Sequence, residues 1–347
     1  MLPRRVLITG GAGFLGLHLA DRFQREGMDV RLFDLAECPD WAREAGMEYV
    51  RGDVRDPAAI AAALAGIDAV IHAAFASPRQ TRKVIDSVNG EGSRLLCAEA
   101  LARGVGRLIL ISSTIVLQPR RVHPLFRNSP LTRLDLYRAS RVAAEQIVAE
   151  YEEKGLSVAI VRPKTFIGPG RVSAFALIFE CIRHGKPVPV LGNGRNRYQL
   201  LDVRDMAEGV RLLVTSSAAG VFFFGARDFR TVREDLQALL AHARTGARLR
   251  YVPERLARVA LRGIELANIV PLSEWHHMSA YGEDSVVDIS RAEYELGWRP
   301  ERSNAQALVE VYDWYVASVT NTGTARTTHP VPLMHRALKG LNWLLSR

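Results

Sequence analysis

Cysteine is scarce in this chain, with three residues among 347 (Cys38, Cys97 and Cys181), an odd number in no metal-ligand spacing. That excludes a disulfide framework and a metal centre built on thiolates, and it makes a reducing cytoplasm the expected location. Long apolar runs are missing too, since none reaches the roughly eighteen residues that a bilayer span needs. The opening residues Met1-Leu2-Pro3-Arg4-Arg5 lead straight into an apolar strand, so no signal peptide is expected. No internal repeat or low-complexity tract is visible. From Val319 onward acid is absent altogether, while Arg326, Arg336, Lys339 and Arg347 are present.

What is there has an ordinary globular balance, 48% hydrophobic and 24% charged. The formal net charge is +9, but arginine is spread along the chain, so no nucleic-acid partner is expected. One denser stretch sets Arg120, Arg121, Arg127, Arg133, Arg138 and Arg141 against a single acid, Asp135. It reads either as a solvated surface or as a positive field for an anionic substrate. The length suits one large domain or two fused lobes. Short β-branched runs at 6–9, 30–34, 49–52, 69–72, 108–112 and 158–162 alternate with helical stretches around 14–25, 57–64, 82–103 and 134–153. This pattern predicts an α/β fold, a doubly wound parallel sheet of the Rossmann type. After Pro163 the rhythm changes, and a smaller C-terminal substrate-binding lobe is expected. The sheet domain is assigned to 1–165 with 196–226 returning to it through runs at 200–203 and 221–225. The lobe is assigned to 166–195 and 227–318, and a tail to 319–347.

The segment Thr9-Gly10-Gly11-Ala12-Gly13-Phe14-Leu15-Gly16 follows the first strand and opens a helix. Glycine there permits a tight turn and lets a pyrophosphate approach the backbone, and the helix N-terminus offers free amides and a positive dipole. The second strand ends at Asp34, where a carboxylate accepts hydrogen bonds from ribose hydroxyls and repels a 2′-phosphate. Leu35 and Ala36 follow, with no arginine, so NAD is favoured over NADP. Asp53, after the third strand, is either an adenine contact or a turn aspartate before Asp56-Pro57.

Further motifs follow: Asp53-Val54-Arg55-Asp56, Val70-Ile71-His72-Ala73-Ala74, Asn89 with Gly92, and Ser112-Ser113. Then come Tyr137 with a cation four residues on, Arg162-Pro163 before Gly168-Pro169-Gly170, Val287-Asp288-Ile289-Ser290 and Leu296-Gly297-Trp298-Arg299-Pro300. Together with the glycine turn they resemble the extended short-chain dehydrogenase/reductase superfamily, NAD-dependent epimerase/dehydratase family, over about residues 4–318. The resemblance implies NAD contacts at Gly10, Gly13, Phe14, Leu15, Gly16, Asp34, Asp53, Val54, Ala73, Ala74, Asn89, Tyr137, Arg141 and Pro163. It implies a catalytic group of Ser113, Tyr137 and Arg141. Tyr137 is then the acid/base for a substrate hydroxyl or ketone, with Ser113 holding the same oxygen. A phenol with an ordinary pKa near ~10 is a poor base at neutral pH, so positive charge beside it is required.

The chain departs from the family at that cation. The usual Tyr-x-x-x-Lys reads Tyr137-Arg138-Ala139-Ser140-Arg141. The i, i+4 spacing keeps Arg141 on the face of Tyr137, but a guanidinium is bulkier and cannot pass on a proton. Arg141 as an adequate substitute, Arg141 as a brake, and a silent NAD-binding site all stay open. The Asp-Glu pair that 4,6-dehydratases carry after the catalytic hydroxyl residue is Thr114-Ile115 here, which disfavours 4,6-dehydration.

The substrate side draws on Thr165, Arg171, Asn196, Arg197 and Gln199, with Ser113. In nucleotide-sugar relatives an arginine after the Gly-x-Gly loop meets a phosphate, and Arg197 after Gly192-Asn193-Gly194 is the best match. The position that is often asparagine after Arg-Pro holds Lys164 or Thr165. Adjacent histidines in a strand-like loop are expected to point apart, so Trp275-His276-His277 is not expected to hold a metal. In the tail, residues 333–345 place Leu333, Ala337, Leu341, Leu344 and Leu345 on one side of a helix and cations on the other. Such a helix docks on its own protein, forms a dimer contact or lies on an anionic membrane. The expected activity is that of an NAD-dependent sugar-nucleotide epimerase working through a transient ketone on an anionic small-molecule substrate. The alternatives are a hydroxyl dehydrogenase for a lipid or sterol-like substrate and a silent NAD-binding protein. The resemblance also suggests a homodimer through helices 82–103 and 134–153.

Overall fold

The computed structural model describes residues 3–118, 123–172, 175–253 and 283–322. The tail helix at 333–345, Arg120, Arg121 and Trp275-His276-His277 lie outside them. Seven strands form one parallel sheet: β1 (Arg5–Thr9), β2 (Asp29–Asp34), β3 (Glu48–Arg51), β4 (Ala69–His72), β5 (Arg107–Ile111), β6 (Val158–Pro163) and β10 (Gly220–Phe224). Two-residue strands β7 (Phe166–Ile167) and β9 (Leu201–Asp202) pair with each other, as do β8 (Val188–Leu191) and β11 (Leu249–Val252). The helices are α1 (Phe14–Arg25), α2 (Asp40–Glu44), α3 (Pro57–Ala63), α4 (Arg82–Asp86), α5 (Ser93–Ala102) and α6 (Leu136–Glu153). They continue with α7 (Phe175–Arg183), α8 (Val203–Thr215), α9 (Val232–Ala243), α10 (Ser290–Leu296) and α11 (Asn304–Thr322).

The sheet order is β10-β6-β5-β4-β1-β2-β3, so the winding reverses between β1 and β4. Alternation along β1 sends Val6 and Ile8 to one face and Leu7 to the other, and each face has its own apolar core. Helices α1 and α8 cover the first face with Leu19, Phe23, Met206 and Val210. Helices α3, α5 and α6 cover the second with Ile60, Leu96 and Ile147. A third core joins α7, α9 and α11 through Phe179, Leu236 and Val311. The 200–203 run yields only β9, because Asp202 turns at once to cap α8 by accepting from Arg204 N at 2.8 Å. The 221–225 run becomes β10 at the edge of the main sheet. Among the described residues no helix is long and apolar enough to cross a membrane.

The helical stretch at 82–103 is one helix by sequence period but is divided by a wider π turn at Ser87–Gly92. That turn carries Asn89, which is fully buried. Asn89 Oδ1 accepts from Ala76 N at 2.8 Å and its Nδ2 donates to Ser140 Oγ at 2.9 Å. Ser140 Oγ donates in turn to the Tyr137 carbonyl, so the loop after β4 is fastened to the start of α6.

A buried chain of hydrogen bonds fixes the reversal point. Thr9 Oγ1 accepts from the amides of Ala73 and Ala74, each at 3.2 Å, so its own hydrogen goes to His72 Nδ1 at 2.9 Å. The other ring nitrogen then donates to Ser93 Oγ, which donates to the Asn89 carbonyl. His72 is wholly buried, and desolvation, helped by the Arg141 charge, holds its pKa down at about 3.

At the far end Trp298 is fully buried, donates Nε1–H to the Asp205 carbonyl at 3.0 Å and lies 4.6 Å from the Phe224 ring centroid. Trp298→Ala is expected to lower unfolding stability by about 3–5 kcal/mol, read from the urea midpoint. The His72 environment gives a pH dependence. The unfolded imidazole takes up a proton as pH falls below ~6.5, whereas the native one stays neutral until about 3, so acid favours the unfolded chain across that window. This residue is expected to cost about 2 kcal/mol of stability at pH 5 relative to pH 7.5. His72→Gln, which does not titrate, should flatten the profile by that amount; an identical slope in the two proteins would contradict the assignment.

Candidate active site

The glycine turn is a cradle that side chains would fill. Gly10 has φ +72°, and a Cβ there would sit 2.9 Å from the Ala73 carbonyl oxygen. A Cβ on Gly16 would lie 2.3 Å from the Gly11 carbonyl oxygen, so α1 runs against the turn only because that residue is glycine. Gly13 caps α1 without any side-chain bond, which leaves the first-turn amides around Phe14 and Leu15 for a ligand's oxygens. Asp34 is half-buried beside this turn. Its Oδ2 accepts from Ala12 N at 3.1 Å and its Oδ1 from Ala36 N at 3.0 Å. A carboxylate so anchored is suited to accept from a ribose diol and to disfavour a phosphate. The residues present fit NAD.

Other expected cofactor contacts separate by their surroundings. Val54 is buried, and a Cβ added to Gly92 would lie 2.7 Å from its Cγ2. Pro163 ends β6, and its carbonyl accepts from Thr114 Oγ1 at 3.2 Å. The Asp53 carboxylate is gripped by Arg55 through backbone N and two guanidinium nitrogens, which hold its pKa below the ordinary carboxylate value. Asn89 is engaged on both sides of its amide, as described above.

Of the catalytic candidates, Ser113 follows the C-terminal end of β5, and Tyr137 and Arg141 lie in the first two turns of α6. Ser113 lies two residues beyond β5, and its Oγ accepts from Ile115 N at 3.2 Å, leaving its own hydrogen to donate. Asp135 caps α6 by accepting from Arg138 N at 2.8 Å, and Arg138 Nε donates to the Ile115 carbonyl. Tyr137 is thereby held next to the Ser113 segment. Arg141, one turn along, donates to Tyr137 Oη from Nε at 3.1 Å and from Nη2 at 2.7 Å. Its Nη1 donates to the Ile111 carbonyl at 3.1 Å. The flat guanidinium lies over Phe75 with its carbon 3.7 Å from the ring centroid. Phe75 is the partner that sequence reasoning missed; its place just after Ala73-Ala74 was the only signal.

On the substrate side, Thr165 Oγ1 and Tyr198 Oη hydrogen-bond at 2.8 Å. Arg171 stacks on Phe166 at 4.7 Å and Phe14 at 5.7 Å, the first residue of α1. Burial lowers its pKa from the usual arginine value, and Tyr137 and Arg141 lie close enough to act on its charge. Arg171 thus lies near both the start of α1 and Tyr137. Arg197 is half-exposed and ion-paired with Asp284 at 3.2 Å. Among the described residues no group of acids, cysteines and histidines is arranged to hold a metal.

With this geometry in view, comparison with known proteins is specific. The family model for the NAD dependent epimerase/dehydratase family matches residues 6–222. An uncharacterised protein of Sinorhizobium fredii is 32% identical over 99% of this chain and 87% of its own length. A 3 beta-hydroxysteroid dehydrogenase/Delta 5→4-isomerase of Mycobacterium tuberculosis is 28% identical over 90% of each. The crystal structure of a dTDP-glucose 4,6-dehydratase of Streptomyces venezuelae with NAD bound is 26% identical, with TM-score 0.71, covering 91% of this chain and 98% of that one. A Rossmann sheet, a glycine cradle beside Asp34 and a Tyr137–Arg141 pair next to Ser113 therefore stand in a chain that belongs to the NAD-dependent epimerase/dehydratase family, with NAD as its cofactor.

Proposed function

We propose that the chain interconverts a secondary alcohol and a ketone, and that its substrate is a sugar nucleotide epimerised through a transient ketone. The observation that carries this reading is the Arg141 clamp: two guanidinium N–H groups aimed at Tyr137 Oη, beside a Ser113 hydroxyl free to donate. NAD bound at the glycine turn supplies reversible hydride acceptance. Ser113 holds the substrate oxygen, and Tyr137 takes the hydroxyl proton as its phenolate and, as the phenol so formed, returns it to the ketone oxygen. Negative charge developing on Oη meets donors already in place, at no cost of reorganisation. Arg141 acts as a fixed positioning cation and not as a relay, since it does not release a proton. Thr114, whose hydroxyl is bonded to the Pro163 carbonyl, and Ile115 supply no acid or base for eliminating water, so 4,6-dehydration is disfavoured.

One observation favours a second reading. Arg197, expected to meet a substrate phosphate, already has a carboxylate partner in Asp284, and a hydroxysteroid dehydrogenase is among the relatives. A lipid or sterol-like alcohol is the alternative substrate class on that ground. In either case Ser113, Thr165, Arg171 and Arg197 are the proposed substrate contacts. A homodimer through the exposed faces of the 82–103 stretch and of α6 belongs to the same proposal.

The test is turnover of NAD-loaded protein with a panel of nucleotide sugars and, in parallel, hydroxysteroids. Epimerisation is expected with a transient absorbance of reduced cofactor near ~340 nm and no net consumption of NAD. Tyr137→Phe is expected to lower kcat by about 10²–10⁴. Arg141→Lys keeps a charge but loses the Phe75 stack and the Ile111 bond, so a fall of roughly tenfold is expected, with Arg141→Met lower still. Net oxidation of hydroxysteroids alone would install the second reading. Tight NAD binding with no turnover anywhere would leave only an NAD-binding role.

A further inference from the structure

The C-terminal ends of the parallel strands carry the glycine turn after β1, Asp34 at β2, Ala73-Ala74 after β4, Ser113 after β5 and Pro163 at β6. This edge is where open α/β sheets bind their ligands. Lys164 is the next residue after β6, and it is 4% exposed. Its Nζ donates to Ser285 Oγ at 2.6 Å and lies 4.9 Å from the Tyr198 ring centroid. Thr165 and Tyr198 add the hydroxyl pair described above.

The surrounding backbone holds these groups rigidly. Ser285 N donates to the Arg197 carbonyl at 2.7 Å, Gln199 N to the Ser285 carbonyl at 3.0 Å, and Asn304 Nδ2 to the Tyr198 carbonyl at 2.7 Å. Asp284, one residue before Ser285, is engaged by Arg197. Among the described residues Lys164 has no carboxylate within ion-pairing distance, and burial alone depresses its pKa to about 7. Arg162, two residues earlier and equally buried, shows the contrast: Glu145 meets it with two hydrogen bonds, at 2.9 and 2.6 Å. A buried cation without a counter-charge is costly unless something supplies one.

We propose that Lys164, with the hydroxyls of Ser285, Thr165 and Tyr198, forms a subsite for an oxyanion of the substrate, a carboxylate or a phosphate. The inference rests on the proposed reading of this sheet edge as the substrate side and names the substrate's charge. The titratable and charged groups around the subsite are Tyr198, the Arg197–Asp284 pair and His123, whose Nδ1 meets the Val286 backbone. An anion bound beside Lys164 favours the ammonium, so binding above neutral pH draws in a proton.

The experiment is isothermal titration of the NAD-loaded full chain at pH 8 with UDP as the phosphate source and glucuronate as the carboxylate source. Each titration is run in two buffers of different ionisation heat. One of the two probes is expected to bind with net proton uptake, and to bind more weakly as pH rises from 7 to 9. Which one binds identifies the anion. Lys164→Met should abolish the proton uptake and weaken binding tenfold or more. The same variant should melt at an unchanged or higher temperature, because it removes a buried amine with no carboxylate partner among the described residues. Lys164→Gln is measured alongside and should likewise bind without proton uptake. Wild-type protein that binds neither probe, or variants that bind with undiminished affinity and proton uptake, would overturn the inference. Tyr137→Phe keeps the subsite, so its probe binding should match the wild type. Lys164-dependent binding in a protein that turns over no nucleotide sugar would sink the epimerase reading and leave the subsite standing.

Discussion

The crevice between β1 and β4 is where the sheet's winding reverses, and a single hydroxyl holds it. Thr9 Oγ1 takes the two amides that follow β4 and gives its hydrogen to His72, whose other nitrogen reaches Ser93 and the π turn. Because those amides are satisfied from β1, the Ala73-Ala74 backbone comes close enough that only glycine fits at position 10. The cofactor cradle is thus a consequence of the latch as much as of the glycines. The same π turn presents Asn89 to Ser140, and so passes the register of β4 on to the helix bearing Tyr137. The glycine turn and the helix bearing Tyr137 are joined by one continuous buried hydrogen-bond network.

Arginine in place of lysine at the cation position is accommodated by particular neighbours. A guanidinium is planar and needs a face and several acceptors, whereas an ammonium needs neither. Phe75 gives the face, Ile111 gives a carbonyl and Tyr137 Oη takes the remaining two bonds. A mere defect at this position would leave donors unmet; here Nε, Nη1 and Nη2 all have acceptors. The arrangement also brings positive charge near His72, adding to the desolvation that keeps the ring neutral and the latch in one tautomer.

Much of this was legible in the sequence, and for physical reasons. Strand alternation and the strand–glycine–helix order depend on local spacing, so β1, the cradle and Asp34 could be read directly. The i, i+4 relation of Tyr137 and Arg141 is likewise local. What was hidden depends on long-range pairing. Phe75 is an unremarkable aromatic until α6 lays Arg141 on it. The π turn at Ser87–Gly92 leaves no mark in a helical period that resumes after it. The 200–203 run has the composition of a sheet strand, but Asp202 diverts it into the cap of α8.

Charged residues were the hardest to place, since residue type alone does not say where a countercharge lies. Asp53 stands at a position suited to adenine, yet Arg55, two residues away, grips its carboxylate. Arg197 stands at a position suited to a phosphate, yet Asp284 arrives from far along the chain to pair with it. Backbone alternation supplies the reason in the second case. Arg197 faces outward toward Asp284 while Tyr198, the next residue, is buried against Thr165 and Lys164. The polarity of that sheet edge is therefore set by the inward-facing residue and its hydroxyl partners, with the arginine serving to tie down the segment that carries Ser285. Arg197 thus holds the segment that carries Ser285, and Lys164 is the buried amine that Ser285 meets.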